Sequence, residues 1–310
     1  MSKRNRQRRR PQAILSGSEQ YPSAQTIYRL SVLDEHGKEL LEQGLAQVTN
    51  ASDWSRDTPA IEKIKAAHTP AELLDLVPIS TGLAESAWLA QMRKLRLGAA
   101  PLIAERLTAA KAIEDSSARS LAEERLIAAL HICGGLGAEQ LLRGFDSLSL
   151  YGQSLACMAL GKADAKPAAD RIWTYYEHVK NYTLERFVVG ALWGLIDLKD
   201  PRAAGALAEL LEGGRAFYEL CGLTAMAGDR QAVAALVDRI AQAPEGDKDD
   251  PAYALAAIGH RIGRTALREE FEKRVAPEDR ATLPDKVADS MLAITPEDIQ
   301  DHFQAFYGSL

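Results

Sequence analysis

The chain has 310 residues, of which 46% are hydrophobic and only 6% aromatic, so it has enough apolar content for a folded protein. Ala and Leu dominate, which favours closely packed helices over sheets. The formal net charge is −6, and removing the six basic residues among the first ten leaves −12 on the other 300, which argues against broad nucleic-acid binding by the folded body.

Two further classes are excluded by the distribution of apolar residues. No run of about 18 apolar residues is present, so the sequence predicts no membrane span. The basic N-terminus is not followed by the apolar stretch of a secretory signal. A cytoplasmic location is therefore expected.

Residues 1–22 form the first predicted region, a disordered basic tail that combines like charges with Pro, Ser and Gly. Residues 1–10 hold six basic side chains and no acid. Such a tail is typical of contacts with nucleic acid, the ribosome or anionic lipid. It also suits a solvated extension, or a segment that lies on the acidic body.

Residues 23–118 form the second predicted region, which is helical with irregular repeats. A helix is favoured near the start, although a hairpin turning at Gly37 is an alternative, and residues 38–48 suit a second helix before a polar loop at 50–57.

Clear start signals follow in this region. Thr58-Pro59 begins one helix, and Thr69 with Glu72 matches a capping box, in which each side chain accepts a hydrogen bond from a backbone N–H. Further helices are predicted over residues 86–97 and from Pro101 onward.

Residues 119–310 form the third predicted region, an array of helix pairs that ends in a capping helix. The first helices of successive pairs cover residues 121–134, 149–161, 183–197, 215–228 and 251–263; the second helices cover 137–145, 166–179, 201–213, 230–241 and 264–275. One pair cannot bury both of its apolar faces, whereas stacked pairs can. We therefore predict an all-α fold, a right-handed α-α superhelix.

Residues 183–242 show the start and end signals of these helix pairs most clearly. Asp200-Pro201 suits a helix start, and Gly213-Gly214 suits a left-handed helix end. Asp229 caps the next helix. The distances between Asp164, Asp200 and Asp229 are 36 and 29 residues, so the period is uneven.

The C-terminal helix is predicted to begin at a Thr295–Asp298 cap. Its aromatic residues Phe303, Phe306 and Tyr307 are expected to cover the open end of the stack, since a terminal repeat must hide its apolar face.

The segments DPRAAGALAELL and FYELCGLTAMAGD carry a family resemblance. They resemble HEAT repeats, particularly the short HEAT-like repeats associated with phycobilin lyases, and the likeness extends over residues 120–274. The resemblance implies an α-solenoid that binds macromolecules on a curved surface, with the second helices on its concave side. A few relatives are chromophore lyases or excise alkylated DNA bases.

The residues typical of catalytic, cofactor and metal sites occur without the partners that those sites need. The glycines from Gly134 to Gly137 lack the Lys-Ser/Thr of a phosphate-binding loop. His131 and Cys133 lack the further ligands that zinc needs. The three cysteines, Cys133, Cys157 and Cys221, suit buried positions in a reducing compartment. We predict no catalytic residues, no metal and no cofactor.

Aromatic and acidic clusters have two interpretations each. The repeat register places Ile172, Trp173 and Tyr176 on the core stripe rather than in a binding site, and Trp193 is expected between repeats. The pairs Glu123-Glu124 and Glu269-Glu270 are interpreted as solvated helix faces.

The exposed polar side of the second helices is the remaining candidate surface for binding a partner. The predicted partner-binding residues are Arg143, Arg171, Glu177, Glu209 and Arg239. The leading hypothesis is a non-catalytic scaffold that binds another protein. The alternatives are nucleic-acid association through residues 1–10, or an enzyme with a cleft where Trp, Asp and Arg side chains converge.

Overall fold

A computed structural model of the chain describes residues 27–34, 57–242, 244 and 248–307. The predicted basic tail of residues 1–22 and the predicted helix of residues 38–48 lie outside these ranges. Every regular element among the described residues is helical. The α-helices are α1 Thr58–Lys65, α2 Pro70–Asp75, α3 Leu83–Leu95, α4 Ala100–Ala110, α5 Ser116–Ile132, α6 Gly135–Gly144, α7 Leu150–Lys162, α8 Ala169–Val179, α9 Glu185–Asp197, α10 Arg202–Glu212, α11 Tyr218–Ala227, α12 Val233–Gln242, α13 Asp249–Ile262, α14 Arg264–Glu272, α15 Leu283–Leu292, α16 Pro296–His302 and α17 Gln304–Tyr307.

The ten helices predicted as repeat pairs are all confirmed, as α5 to α14 in chain order. Helix α5 begins at Ser116, so a helix spans the predicted boundary at residue 118. Residues 27–34, which we name the N-terminal segment, contain a π-helical turn at Arg29–Leu33. This agrees with the preference for helix over hairpin in that stretch.

The predicted start signals act as hydrogen-bond acceptors. The Thr69 hydroxyl accepts from the Glu72 N–H at 3.2 Å, and the Glu72 carboxylate accepts from the His68 N–H at 2.8 Å. Thr295 forms the complete capping box with Asp298. Local sequence therefore sets where these helices begin.

Three helix ends share one type of turn, two of them at first helices and one at a second helix. The second residue after α7, α9 and α10 has a left-handed backbone: Asp164 with φ 50°, Lys199 with φ 56° and Gly214 with φ 82°. In each case the following N–H bonds back to the carbonyl five positions earlier, as Ala165 does to Leu160 at 3.0 Å. This is the Schellman pattern. Of the three helix ends, only the one at Gly214 was predicted from the sequence.

The first helices of the pairs form one continuous layer, in which α5, α7, α9, α11 and α13 contact their neighbours in order. Helices α7 and α9 approach each other closely, because a Cβ added to Gly161 would lie 2.7 Å from the Gly194 Cα. Helix α7 buries every residue from Ser154 to Gly161. A helix that is buried all round must be covered on both sides.

The second helices cover one side of this layer and keep a polar face. Helix α10 buries Leu207, Leu210 and Leu211, while Glu209 and Glu212 remain exposed. This is the ordinary pattern of an amphipathic surface helix. The exposed polar face of α6, α8, α10, α12 and α14 is called the second-helix face below.

The chain's two terminal parts cover first helices as well. The N-terminal segment packs on α5 and α7, while α16 packs on α13 and α17 on α11. Trp193 of α9 is fully buried and has the Arg29 guanidinium 5.3 Å from its ring centroid. The Phe306 ring stacks on the same indole at 5.1 Å.

Phe303 and Phe306 are buried as predicted, but they lie elsewhere than expected. They pack against Trp193 and Tyr218, on α9 and α11, in the middle of the array rather than beyond its last pair. Gly222 makes this possible, because a Cβ there would lie 2.5 Å from the Phe306 ring. Among the described helices, none is both long and apolar enough to cross a bilayer.

Candidate functional site

The five predicted partner-binding residues lie on the second-helix face, but the structure brings only some of them together. Glu177 and Glu209 meet at Lys180, whose ammonium lies 3.1 Å and 2.7 Å from the two carboxylates. Arg171 lies on the opposite flank of α8, where it pairs with Asp146. Helix α8 therefore presents predicted residues on two separate sides.

Arg143 and Arg239 share no described contact with the other three. Arg143 is highly exposed and pairs at 3.6 Å with Glu139 on its own helix. Arg239 is half-buried on α12. The five residues therefore do not form one site.

The second-helix face carries ion pairs that join successive second helices. Arg202 of α10 lies 3.0 Å from Asp170 of α8, and Arg230, in the 3-10 turn Arg230–Ala232 that leads into α12, lies 2.8 Å from Glu269 of α14. Exposed pairs of this kind contribute little stability individually.

A pocket of about 380 Å³ opens on this face beside α8. It lies between α7, α8 and the 3-10 turn Phe145–Ser147. Its lining residues are Phe145, Asp146, Gln153, Arg171, Thr174, Tyr175 and His178. The volume falls within the range of natural ligand-binding clefts.

The floor of the pocket is aromatic and firmly positioned. Phe145 and Tyr175 meet edge to face at 6.1 Å, and the Tyr175 hydroxyl donates to the Leu150 carbonyl at 2.8 Å. Burial raises the pKa of Tyr175 well above its usual value, so the phenol is neutral. The Gln153 amide is held at 3.3 Å by the Phe145 carbonyl.

The rim of the pocket is polar and accessible. Arg171, Thr174 and His178 are exposed along one stripe of α8, at helical spacing. The Arg171 guanidinium pairs with Asp146, and a His178 ring nitrogen lies 3.2 Å from the Tyr182 hydroxyl. An aromatic floor with a mixed polar rim suits the binding of a side chain or small organic group.

Sequence reasoning identified Arg171 but missed the other pocket residues. His178 belongs to no catalytic or metal-binding motif in the sequence. The spacing of positions 171, 174 and 178 was a usable signal, whereas Phe145 and Gln153 reach the pocket only through the packing of α7 on α8.

The aromatic run in α8 is largely core, as predicted. Ile172 and Tyr176 are fully buried, whereas Trp173 is half-buried. The Arg202 guanidinium lies 5.2 Å from the Trp173 ring centroid, which is a cation–π contact. Tyr175 was not placed in the core, and its burial forms the pocket floor.

Tryptophan, aspartate and arginine side chains do converge, but inside the protein. The Arg29 guanidinium lies over Trp193 and contacts the Asp197 carboxylate at 2.7 and 2.9 Å. Arg29 is only 2% exposed. Burial raises the pKa of Asp197, against the opposing effect of Arg29.

A second polar cluster surrounds the buried Arg125. One guanidinium nitrogen lies 2.8 Å from Glu85 and 2.9 Å from Glu124, and the group also donates to the Ser80 carbonyl. The Tyr151 hydroxyl donates to Glu124 at 3.2 Å. Burial raises the pKa of Glu85, partly offset by Arg125. The two carboxylates share one cation, which leaves a net charge of −1 on the cluster when both are ionised.

The interpretation of the two glutamate pairs as solvated faces was wrong for Glu123 and Glu270, and Glu124 is half-buried in the cluster around Arg125. Glu123 is 1% exposed and accepts hydrogen bonds from Arg119 and from the Ser149 N–H. Glu270 is buried and binds the side chains of Arg230 and Lys273. Both positions tie helices together, which a solvated face would not do.

Potential metal ligands and the cysteines are dispersed within residues 27–34, 57–242, 244 and 248–307. Within these ranges no group of three or more His, Cys, Asp or Glu side chains could hold a metal ion. Cys157 and Cys221 are buried, and Cys133 is half-buried. Burial raises the pKa of the Cys133 thiol, so it is protonated at neutral pH.

Comparison with known proteins identified no relative of the chain. No protein-family model, no curated protein and no solved structure matches the chain.

Proposed function

We propose that this protein is a non-catalytic, HEAT-like scaffold that binds another protein through its second-helix face. The observation that carries the proposal is the pocket beside α8, which joins an aromatic floor to a polar rim in an otherwise ion-paired surface. Clefts of this kind receive the anchoring side chains of protein partners.

The composition of the face supports a protein ligand. The charges next to the pocket are of both signs and are mutually paired, as for Arg171 with Asp146 and Lys180 with Glu209. A surface that recognised the nucleic-acid backbone would instead present an excess of free cations. Partner charges would exchange with these pairs at the rim and set the orientation of binding.

The two alternative functions have weaker support. An enzyme of the lyase or base-excision kind needs an open cleft, and the converging Trp193, Asp197 and Arg29 are enclosed. The Arg-rich residues 1–10 lie outside the described residues, so nucleic-acid binding through them stays a prediction from sequence. No cofactor is proposed.

A matched pair of substitutions tests the pocket. Thr174 and Thr108 are both exposed helical threonines whose hydroxyls donate to the carbonyl four residues earlier, at 2.9 and 3.0 Å. Thr174→Trp fills the pocket, whereas Thr108→Trp adds the same indole on α4. We expect Thr174→Trp to reduce recovery of specific partners at least tenfold in quantitative affinity capture from native lysate.

The control should leave recovery unchanged, and both variants should show the wild-type circular dichroism spectrum. Identical partner sets for the wild type and Thr174→Trp would contradict the pocket as the anchor. Loss of the same partners from Thr108→Trp would show that the added indole interferes through nonspecific hydrophobic contacts rather than by filling the pocket.

A further inference from the structure

The N-terminal segment occupies a groove across α5, α7 and α9. The Tyr28 hydroxyl donates to the Glu124 carbonyl at 3.1 Å. Arg29 reaches Asp197, and Asp34 receives the Lys162 ammonium. Val32 and Leu33 supply the apolar contacts, being 2% and 1% exposed. A segment of eight residues is thus held by one hydroxyl, one cation, one carboxylate and two apolar side chains.

The Trp193 and Asp197 side chains that contact Arg29, called the seat below, have the components of an arginine-binding site. The Trp193 indole provides a ring face at 5.3 Å from the guanidinium carbon. The Asp197 carboxylate accepts one hydrogen bond from the guanidinium at 2.9 Å, and its second oxygen makes an ion-pair contact at 2.7 Å. This combination suits a planar, delocalised cation better than a lysine ammonium. The residues of the seat belong to α9 and would remain in place if the segment left.

Charged anchors are a poor choice for a segment that serves only to cover the core. Burying an ion pair seldom adds stability over apolar residues of the same size, because both charges lose their hydration. Charged groups do, however, make binding selective, and they are readily hydrated again on separation. The polar anchoring is therefore explained more directly by recognition than by stability.

We propose that the groove across α5, α7 and α9 is a recognition site for a partner segment that carries arginine with a carboxylate five residues later, and that residues 27–34 close it in cis. The partner is a protein whose segment reproduces the spacing of Arg29 and Asp34. This surface lies apart from the pocket beside α8, so it goes beyond the function proposed above.

The test uses the full-length chain and a fluorescein-labelled peptide with the sequence of residues 26–36. Arg29→Ala removes the anchor of the cis segment and leaves the seat intact. We expect this variant to bind the peptide at least tenfold more tightly than the wild type does, measured by fluorescence anisotropy. Ser31→Ala, a change in the same segment whose hydroxyl bonds only within it, is the matched control and should behave like the wild type.

A second peptide tests the chemistry of the seat. With lysine in place of its arginine it should bind the Arg29→Ala variant at least fivefold more weakly, because the two-point contact with Asp197 is lost. Equal binding of the two peptides would overturn the proposal, as would a natively folded Arg29→Ala variant that binds no peptide. A dimer formed by exchange of the segment between copies would also overturn it.

A cleavable chain covers the case in which Arg29→Ala does not fold. A protease site inserted after residue 45 releases the N-terminal fragment from its covalent link. We expect a hundredfold excess of the unlabelled peptide to displace the fragment in gel filtration while the remainder keeps its helical spectrum. A fragment that cannot be displaced, or a remainder that unfolds when the fragment leaves, would show that the segment is a permanent part of the core.

Discussion

At the scale of single residues, two helical glycines have opposite roles. A Cβ on Gly194 would lie 2.5 Å from the Cys157 carbonyl oxygen of α7, so any side chain forces α7 and α9 apart. A Cβ on Gly205 of α10 would meet only the Gln231 side chain at 3.9 Å. The first glycine is required by packing, whereas the second only weakens its helix.

We expect Gly194→Ala to lower the free energy of unfolding by about 1–3 kcal/mol, the usual effect of overpacking. Gly205→Ala should raise it by about 0.5–1 kcal/mol through helix propensity. Urea unfolding followed by circular dichroism measures both. A Gly194→Ala variant as stable as the wild type would show that the two helices do not approach as closely as described.

At the scale of elements, local sequence predicted the helices well and their surroundings less well. Asp200, Asp229 and Thr295 cap helices as their residue types indicate. The left-handed turn at Lys199 was not predicted, because a lysine carries no signal for positive φ. The pocket was only partly predictable, since Phe145 and Tyr175 come together across two elements.

The start of α10 is expected to respond to pH through Asp200. Its carboxylate accepts from the Arg202 N–H at 2.9 Å and from the Arg202 guanidinium, which lowers the pKa of Asp200. A lowered pKa in the folded state adds stability that is complete above the ordinary value of about 3.9. This stability is lost progressively as the pH falls from that value through the lowered pKa of the folded state. Asp200→Ala should therefore cost about 1 kcal/mol at pH 7 and clearly less at pH 3.

Thermal unfolding at the two pH values measures this difference. Asp200→Asn is the informative control, because the amide can still cap the helix but carries no charge for Arg202. It should fall between the wild type and the alanine variant at pH 7. An Asp200→Ala deficit of the same size at both pH values would rule out the charge as its source.

At the scale of the whole molecule, both ends of the described chain meet at Trp193. Arg29 and Phe306 contact the same indole, although they are far apart in sequence. Repeat periodicity predicts contacts between neighbouring helix pairs, but it does not predict contacts between segments that are distant in sequence. This is why the helix pairs could be predicted, whereas the packing of Phe306 against α9 and α11 could not.

The shared indole predicts energetic coupling between the two ends. Phe306→Ala alone should cost about 3–5 kcal/mol, as expected for a buried aromatic ring. Combined with Arg29→Ala, the total should fall short of the sum of the single effects by about 0.5–3 kcal/mol. Ile61→Ala on α1, combined with Phe306→Ala, is the control pair and should be additive within about 0.5 kcal/mol. Additive effects of Arg29→Ala and Phe306→Ala would show that the two side chains are not coupled through Trp193.

The distance along the chain between Arg29 and Asp197 has a consequence for folding during synthesis. The two residues are 168 positions apart, and Asp34 and Lys162 are 128 apart. At ribosomal rates of 5–20 residues per second, roughly 10–30 s pass between the synthesis of Arg29 and that of its partner. Helices α5 to α8 can pair within that time through contacts between near neighbours. The N-terminal segment must therefore wait for its contact with Asp197 until α9 has emerged from the ribosome.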